Sequence, residues 1–142
     1  MRILALDVGT KNIGVALSDP LGITAQNLPT IRRKGDTAAD VKRVTDAIAE
    51  YGVETLVVGY PKNMNGTEGP SCEMAKEFAA EVEKNIDEAK VSVVFWDERM
   101  TSVMAENAMI EADLSRKKRK QKVDSLAAIL ILQNYLDYLN RG

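Results

Sequence analysis

The sequence predicts an α/β fold, a mixed sheet layered with helices, and three patterns carry that prediction. Two apolar, β-prone runs at the start, 3–8 and 12–18, are separated by a few polar residues. Two later runs, Thr55-Leu56-Val57-Val58-Gly59 and 91–96, are almost wholly apolar, as strands covered on both faces are. Helical periodicity fills the stretches between and after them. A hairpin, then alternating helix and strand, then helices, make a sheet with antiparallel and parallel parts.

The elements follow in order. Thr10-Lys11-Asn12 turns the chain between the first two strands, and a third strand is expected over about 23–31. From Asp36 to Tyr51 the apolar positions Val41, Val44, Ile48 and Ala49 fall at helical spacing, with Asp36 or Thr37 as cap and Gly52 as stop. After the strand at 55–59, the segment Pro61 to Pro70 is dense in turn residues and reads as a loop. A helix over about 70–87, a strand over 91–96 ending in Asp97-Glu98-Arg99, and helices over 102–112 and 116–139 complete the chain. No repeat, linker or low-complexity segment interrupts it, so residues 1–142 read as one domain with a single core.

Composition narrows the chemistry. Hydrophobic content of 45%, charge of 28% and only 4 Pro exclude a disordered or fibrous chain. No apolar run approaches the length of a membrane span, and Met1-Arg2 leads straight into a strand pattern rather than a signal peptide, so a cytoplasmic protein is the expectation. The lone Cys72 and the absence of His remove disulfides, soft-metal sites and Cys/His catalysis. Any chemistry must rest on carboxylates, Lys, Tyr, hydroxyls or a hard cation.

Four acids in three places draw notice, because such folds place ligands outside the carboxyl ends of parallel strands. Asp7 closes the first strand and needs a positive counterpart if buried, although an Asp that merely turns the hairpin is the plainer reading. Asp97 and Glu98 end the last strand. Asp124 has Ala128, Ile131 and Tyr135 at +4, +7 and +11, an inward stripe, unless it is simply a first-turn acid favoured by the helix dipole. Carboxylates converging without His suit Mg²⁺ or Mn²⁺ and phosphodiester chemistry.

Charge is distributed unevenly about a net −2. Arg116, Lys117, Lys118, Arg119, Lys120 and Lys122 crowd the approach to Asp124, and Arg32-Arg33-Lys34 follow the third strand. A charge run is ordinarily a solvated helix face, but this one would deliver a nucleic-acid backbone to the acids. The Pro61 to Pro70 loop either caps its helix or offers backbone N–H groups to a phosphate. Trp96, Phe78 and Phe95 lie in core-like runs, leaving only Tyr60 near the site, so no stacking platform is expected.

Four ordered motifs carry a resemblance: Leu6-Asp7-Val8-Gly9-Thr10-Lys11-Asn12-Ile13-Gly14-Val15-Ala16, the Gly59 to Pro70 segment, Asp97-Glu98-Arg99-Met100-Thr101-Ser102, and the run from Asp124 to Gln133. Together they resemble the YqgF-type, Holliday-junction-resolvase-like nucleases, from the first residues to about Asp137. The resemblance implies a ribonuclease H-like fold with a mixed five-stranded sheet flanked by helices. It implies a cytoplasmic nuclease maturing the 5′ end of precursor 16S ribosomal RNA, with Holliday-junction resolution in branched DNA as the older assignment.

Carried over, Asp7, Glu98 and Asp124 become catalytic metal ligands for Mg²⁺ or Mn²⁺. Strand alternation puts Asp97 and Glu98 on opposite faces; Glu98 is favoured for its reach and Asp97 is the substitute. Lys11, Asn63, Arg99, Arg116, Lys117, Lys118, Arg119 and Lys120 are the expected nucleic-acid contacts, with Arg99 either clamping a phosphate or neutralising Asp97. The expected partners are structured RNA, branched DNA and ribosomal precursor particles, with no membrane, for a monomer or homodimer. Gly59-Tyr60 offers no acid where better-studied ribonuclease H-like enzymes often carry one. Two rival readings remain: a phosphate-binding ATPase, disfavoured because 142 residues hold one such domain and no second Asp-x-Gly-Thr element, and a ribosome-assembly factor that has lost turnover.

Overall fold

A computed structural model describes residues 2–60, 68–97 and 116–140, with backbone alone for 116–125. Within these residues the chain runs β1 (Arg2–Val8), β2 (Asn12–Ser18), β3 (Ala25–Arg32), α1 (Thr37–Tyr51), β4 (Val53–Tyr60), α2 (Pro70–Glu83), β5 (Ser92–Asp97) and α3 (Arg116–Leu139). The strands form one sheet in the order β3-β2-β1-β4-β5. β1, β2 and β3 pair antiparallel, while β1–β4 and β4–β5 are parallel, so the expected mixed five-stranded sheet is present.

Alternation along β1 sorts the core onto two faces. Leu4, Leu6 and Val8 point to one face with Ile13, Val15, Leu56, Val58 and Phe78, under α1 and α2. Ile3 and Ala5 point to the other, with Ala16, Val57, Ala128, Ile131, Leu132 and Leu136, under α3. The central strands are sealed on both sides, which is why β1 and β4 read as continuous apolar runs. The helix expected over 102–112 lies outside the described residues.

Turn chemistry fixes the strand ends. The β1–β2 turn is tight: the Gly9 N–H donates to the Asn12 carbonyl at 2.9 Å, and a Cβ on Gly9 would meet that oxygen at 2.8 Å. After β2, Asp19 Oδ1 accepts from the Ile23 and Thr24 N–H groups at 2.7 and 3.0 Å. These backbone donors, Thr24 first, hold the Asp19 carboxyl below its ordinary range. The turn absorbs Ile23 and Thr24, so β3 starts two residues later than expected. Helix α1 has its expected caps. Asp36 accepts from the Ala39 N–H at 3.2 Å, and Gly52 takes the left-handed conformation (φ 63°). Asp36→Ala is expected to cost about 1 kcal/mol, read as a lower urea midpoint; an unchanged midpoint would remove the cap from the account. Pro70 opens α2, where its missing N–H costs nothing.

α3 crosses β1, β2 and β3. Its Gln133 side chain behaves like a short strand, accepting from the Ala25 N–H at 3.2 Å and donating to the Ile23 carbonyl at 3.0 Å. Asn140 donates to the Gly22 carbonyl at 3.1 Å beside it. No helix among the described residues is long and apolar enough to cross a membrane.

Candidate active site

The two faces decide which acids can meet. Asp7 follows Ile3 and Ala5 on the face covered by α3, at the carboxyl end of the central strand and half-buried. Its cross-strand partner on β2 is Gly14, and the β1–β4 register, continued one step beyond Leu6↔Val58, places Gly59 on the other side. Asp7 therefore stands between two residues without side chains, on a floor cleared of bulk. Position 124 lies in α3, four and seven residues before Ala128 and Ile131, which are buried against that same face.

Asp97 falls elsewhere. β5 extends one residue further than expected, and Asp97 pairs with Tyr60. Tyr60 is buried and meets the Phe95 ring edge-on at 5.3 Å, on the face of α1 and α2. The register thus sets Asp97 and Asp7 on opposite faces of the sheet. Glu98, Arg99 and Asn63 lie outside the described residues, as do the side chains of Arg116, Lys117, Lys118, Arg119, Lys120 and Asp124. Lys11 is exposed in the β1–β2 turn. Among the described residues no group of three or more Cys, Asp or Glu is assembled that could hold a metal ion. Cys72 is fully buried, and Asp7 itself is a hard oxygen donor.

Around the 61–67 segment a polar network joins the two flanking residues. The Tyr60 hydroxyl donates to Glu68, and Lys76 Nζ lies 2.8 Å from Glu68 Oε1 and 5.6 Å from the Tyr60 ring centre. Desolvation, then the Glu68 bond, raises the Tyr60 hydroxyl pKa; the bond to Glu68 holds Lys76 firmly protonated. Tyr60 therefore bonds to the described residue on the far side of 61–67, with its ring on the face away from Asp7.

Two features escaped the sequence reading. Trp96, paired with Gly59, is only half-buried and meets Tyr135 and Tyr138, each at 5.6 Å, on the Asp7 face, so the aromatic residues are not all core. Arg33, the middle of a basic triplet, is turned inward. Its Nε donates to Asp40 Oδ2 at 2.9 Å and its Nη1 to the Gly9 carbonyl at 3.0 Å, with the guanidinium 5.6 Å from the Phe78 ring centre. It ties the turn that follows Asp7 to both helices of the opposite face. The apolar-to-charged order Ile31-Arg32-Arg33 at a strand end gave only the alternation as a clue.

Comparison with known proteins agrees with this architecture. The profile of the family described as "RuvX: Holliday junction resolvase" matches residues 1–138. A Clostridium perfringens protein named "Putative pre-16S rRNA nuclease" is 57% identical over 141 residues, covering 99% of this chain and 100% of that protein. A protein of the same name from Moorella thermoacetica is 53% identical over 142 residues, covering 100% and 99%. Among solved structures, Thermus thermophilus RuvC in complex with a Holliday junction substrate superposes with a TM-score of 0.65 at 17% identity, covering 100% of this chain and 96% of that one. That likeness gives the ribonuclease H-like fold the sequence led us to expect. The expected enzyme class, a nuclease, is the class of the family. The chain belongs to the RuvX family of Holliday junction resolvases.

Proposed function

We propose that the protein is a metal-dependent nuclease of one domain, residues 1–142, that hydrolyses phosphodiester bonds in maturing the 5′ end of precursor 16S ribosomal RNA in the cytoplasm. The observation that carries the reading is the position of Asp7. It is a half-buried carboxylate at the carboxyl end of the central strand, between Gly14 and Gly59, facing the helix that contains position 124. Relatives spanning the whole chain at 53–57% identity bear the name of that RNA-processing activity.

Asp7, Glu98 and Asp124 are the residues that would hold Mg²⁺ or Mn²⁺; the all-oxygen donors and the cleared floor beside Asp7 fit a hard cation. When bound, such a cation activates the attacking water and neutralises charge on the leaving oxygen. The protein's own contribution is position. Asp7 sits on a strand hydrogen-bonded on both sides and is not free to follow solvent, while Lys11, Asn63, Arg99 and the Arg116, Lys117, Lys118, Arg119 and Lys120 run draw the phosphate backbone across the site.

The test compares precursor 16S ribosomal RNA with a four-way DNA junction in Mg²⁺ or Mn²⁺. Cleavage near the RNA 5′ end, lost on chelation, is the expected result; no cleavage of either substrate at any metal concentration would sink the reading. The description of the family favours a second reading, resolution of branched DNA, and cleavage of the junction alone would establish it. The opposite-face register of Asp97 adds a prediction. Glu98→Gln is expected to abolish cleavage and Asp97→Asn to retain most of it; the reverse order would make Asp97 the ligand.

A further inference from the structure

The basic triplet Arg32-Arg33-Lys34 divides in the structure. Arg33 is consumed by the fold, but Arg32 and Lys34 are exposed on either side of it. Arg32 pairs in register with Asn12, and the Arg33 N–H donates to the Lys11 carbonyl at 2.8 Å, so the exposed Lys11 side chain belongs to the same end of the sheet. On α1 the exposed Arg43 joins them: Arg32, Lys34 and Arg43 line one shallow cleft of about 140 Å³ with Asp36, Ala39 and Asp40.

The acids of this region are already engaged. Asp36 caps α1, Asp40 holds Arg33, and Asp46 pairs with Lys42 at 3.3 Å. The four cations Lys11, Arg32, Lys34 and Arg43 make no ion pair among the described residues, unlike Lys42, Lys76 and Lys84. An ordinary solvated face intersperses both signs. Here three cations outnumber the two acids of the cleft, and one of those acids, Asp40, is paired with Arg33, in a chain of net charge −2.

We infer that this edge, from the β1–β2 turn across the end of β3 to α1, is a track for the phosphate backbone of the substrate nucleic acid. The inference rests on the nuclease reading and extends it to residues outside the basic run 116–122. The ends of β1 and β3 point the same way, because two antiparallel steps separate them. β3 lies about 10 Å from β1, two strand spacings. Only the Arg32 end of the track lies at that distance; α1 and Arg43 cover the opposite face, so the track runs from beside the site around the edge of the sheet. Contacts of this kind position the strand and read no sequence.

The experiment measures binding rather than cleavage. Fluorescence anisotropy with a labelled single-stranded RNA and a labelled four-way junction, both without divalent metal, gives the dependence of affinity on salt. The triple variant Arg32→Gln, Lys34→Gln, Arg43→Gln is expected to flatten the logarithmic slope on the single strand by about 2, since each lost phosphate contact removes about 0.7. A control with the same loss of charge, Lys42→Gln, Lys84→Gln, Lys90→Gln, is expected to change it by less than about 0.5. If the parent binds and the two variants shift the slope equally, the track is overturned while the nuclease reading stands. If the parent binds neither probe at any salt, the nuclease reading itself has failed.

Discussion

Asp7→Asn is expected to lower the cleavage rate by about a thousandfold or more while leaving the melting temperature within about 2 °C of the parent. Asn keeps the volume and one oxygen of the side chain but removes the negative charge that a hard cation requires, and a bound cation contributes several kcal/mol to phosphodiester cleavage. At 1.36 kcal/mol per tenfold, a loss of about 4 kcal/mol is a factor of about a thousand. Stability is little affected because Asp7 is only half-buried and Asn has nearly the same shape and volume. The pair of readouts separates the two roles open to this residue. A turn-forming Asp would lose stability and keep activity, whereas a ligand loses activity and keeps stability. A variant that cleaves like the parent removes Asp7 from the site.

The second large effect is on stability. Asp40→Ala leaves the Arg33 guanidinium, only 14% exposed, without its carboxylate, and removing one partner of such a buried pair costs about 3 kcal/mol. For a chain of this length that corresponds to roughly 10 °C in melting temperature. The double variant Arg33→Met, Asp40→Leu is expected to regain most of the loss, because an apolar pair of similar volume carries no desolvation penalty. It does not restore the bond to the Gly9 carbonyl, so its cleavage rate is expected to stay below the parent's even where its stability recovers. Urea unfolding of Arg33→Met, Asp40→Leu and the double closes the cycle. A loss under about 1 kcal/mol for Asp40→Ala would reduce the contact to a surface ion pair.

Local chemistry accounts for what could be read before the structure. The caps of α1 were visible because Asp36 and Gly52 act through their own backbone neighbours, and β4 was visible because burial on both faces leaves an unbroken apolar run. The start of β3 was misplaced because Asp19 borrows two residues for its turn, a hydrogen bond that composition does not announce. The site was legible only residue by residue. Asp7 stands out in sequence because it interrupts apolar residues, but the face opposite Asp97 depends on where β5 stops and how it is registered against β4. Arg33 was hidden for the opposite reason. A guanidinium inside a basic triplet looks solvated, and only the approach of Gly9, Asp40 and Phe78 from three elements shows otherwise.

The Gln133 bridge has a consequence for the order in which the molecule is made. Its hydrogen bonds join residues 108 and 110 positions apart, and Asn140 adds one across 118. The hairpin emerges first from synthesis, yet the face carrying Asp7 gains its helical cover only after α3, more than a hundred residues later, has been made. A shortened chain ending before α3 would possess the strand with its carboxylate and lack everything that closes over it. Docking of α3 and closure of that face are the same event, so a chain cut before α3 leaves Ile3, Ala5, Ala16 and Val57 uncovered.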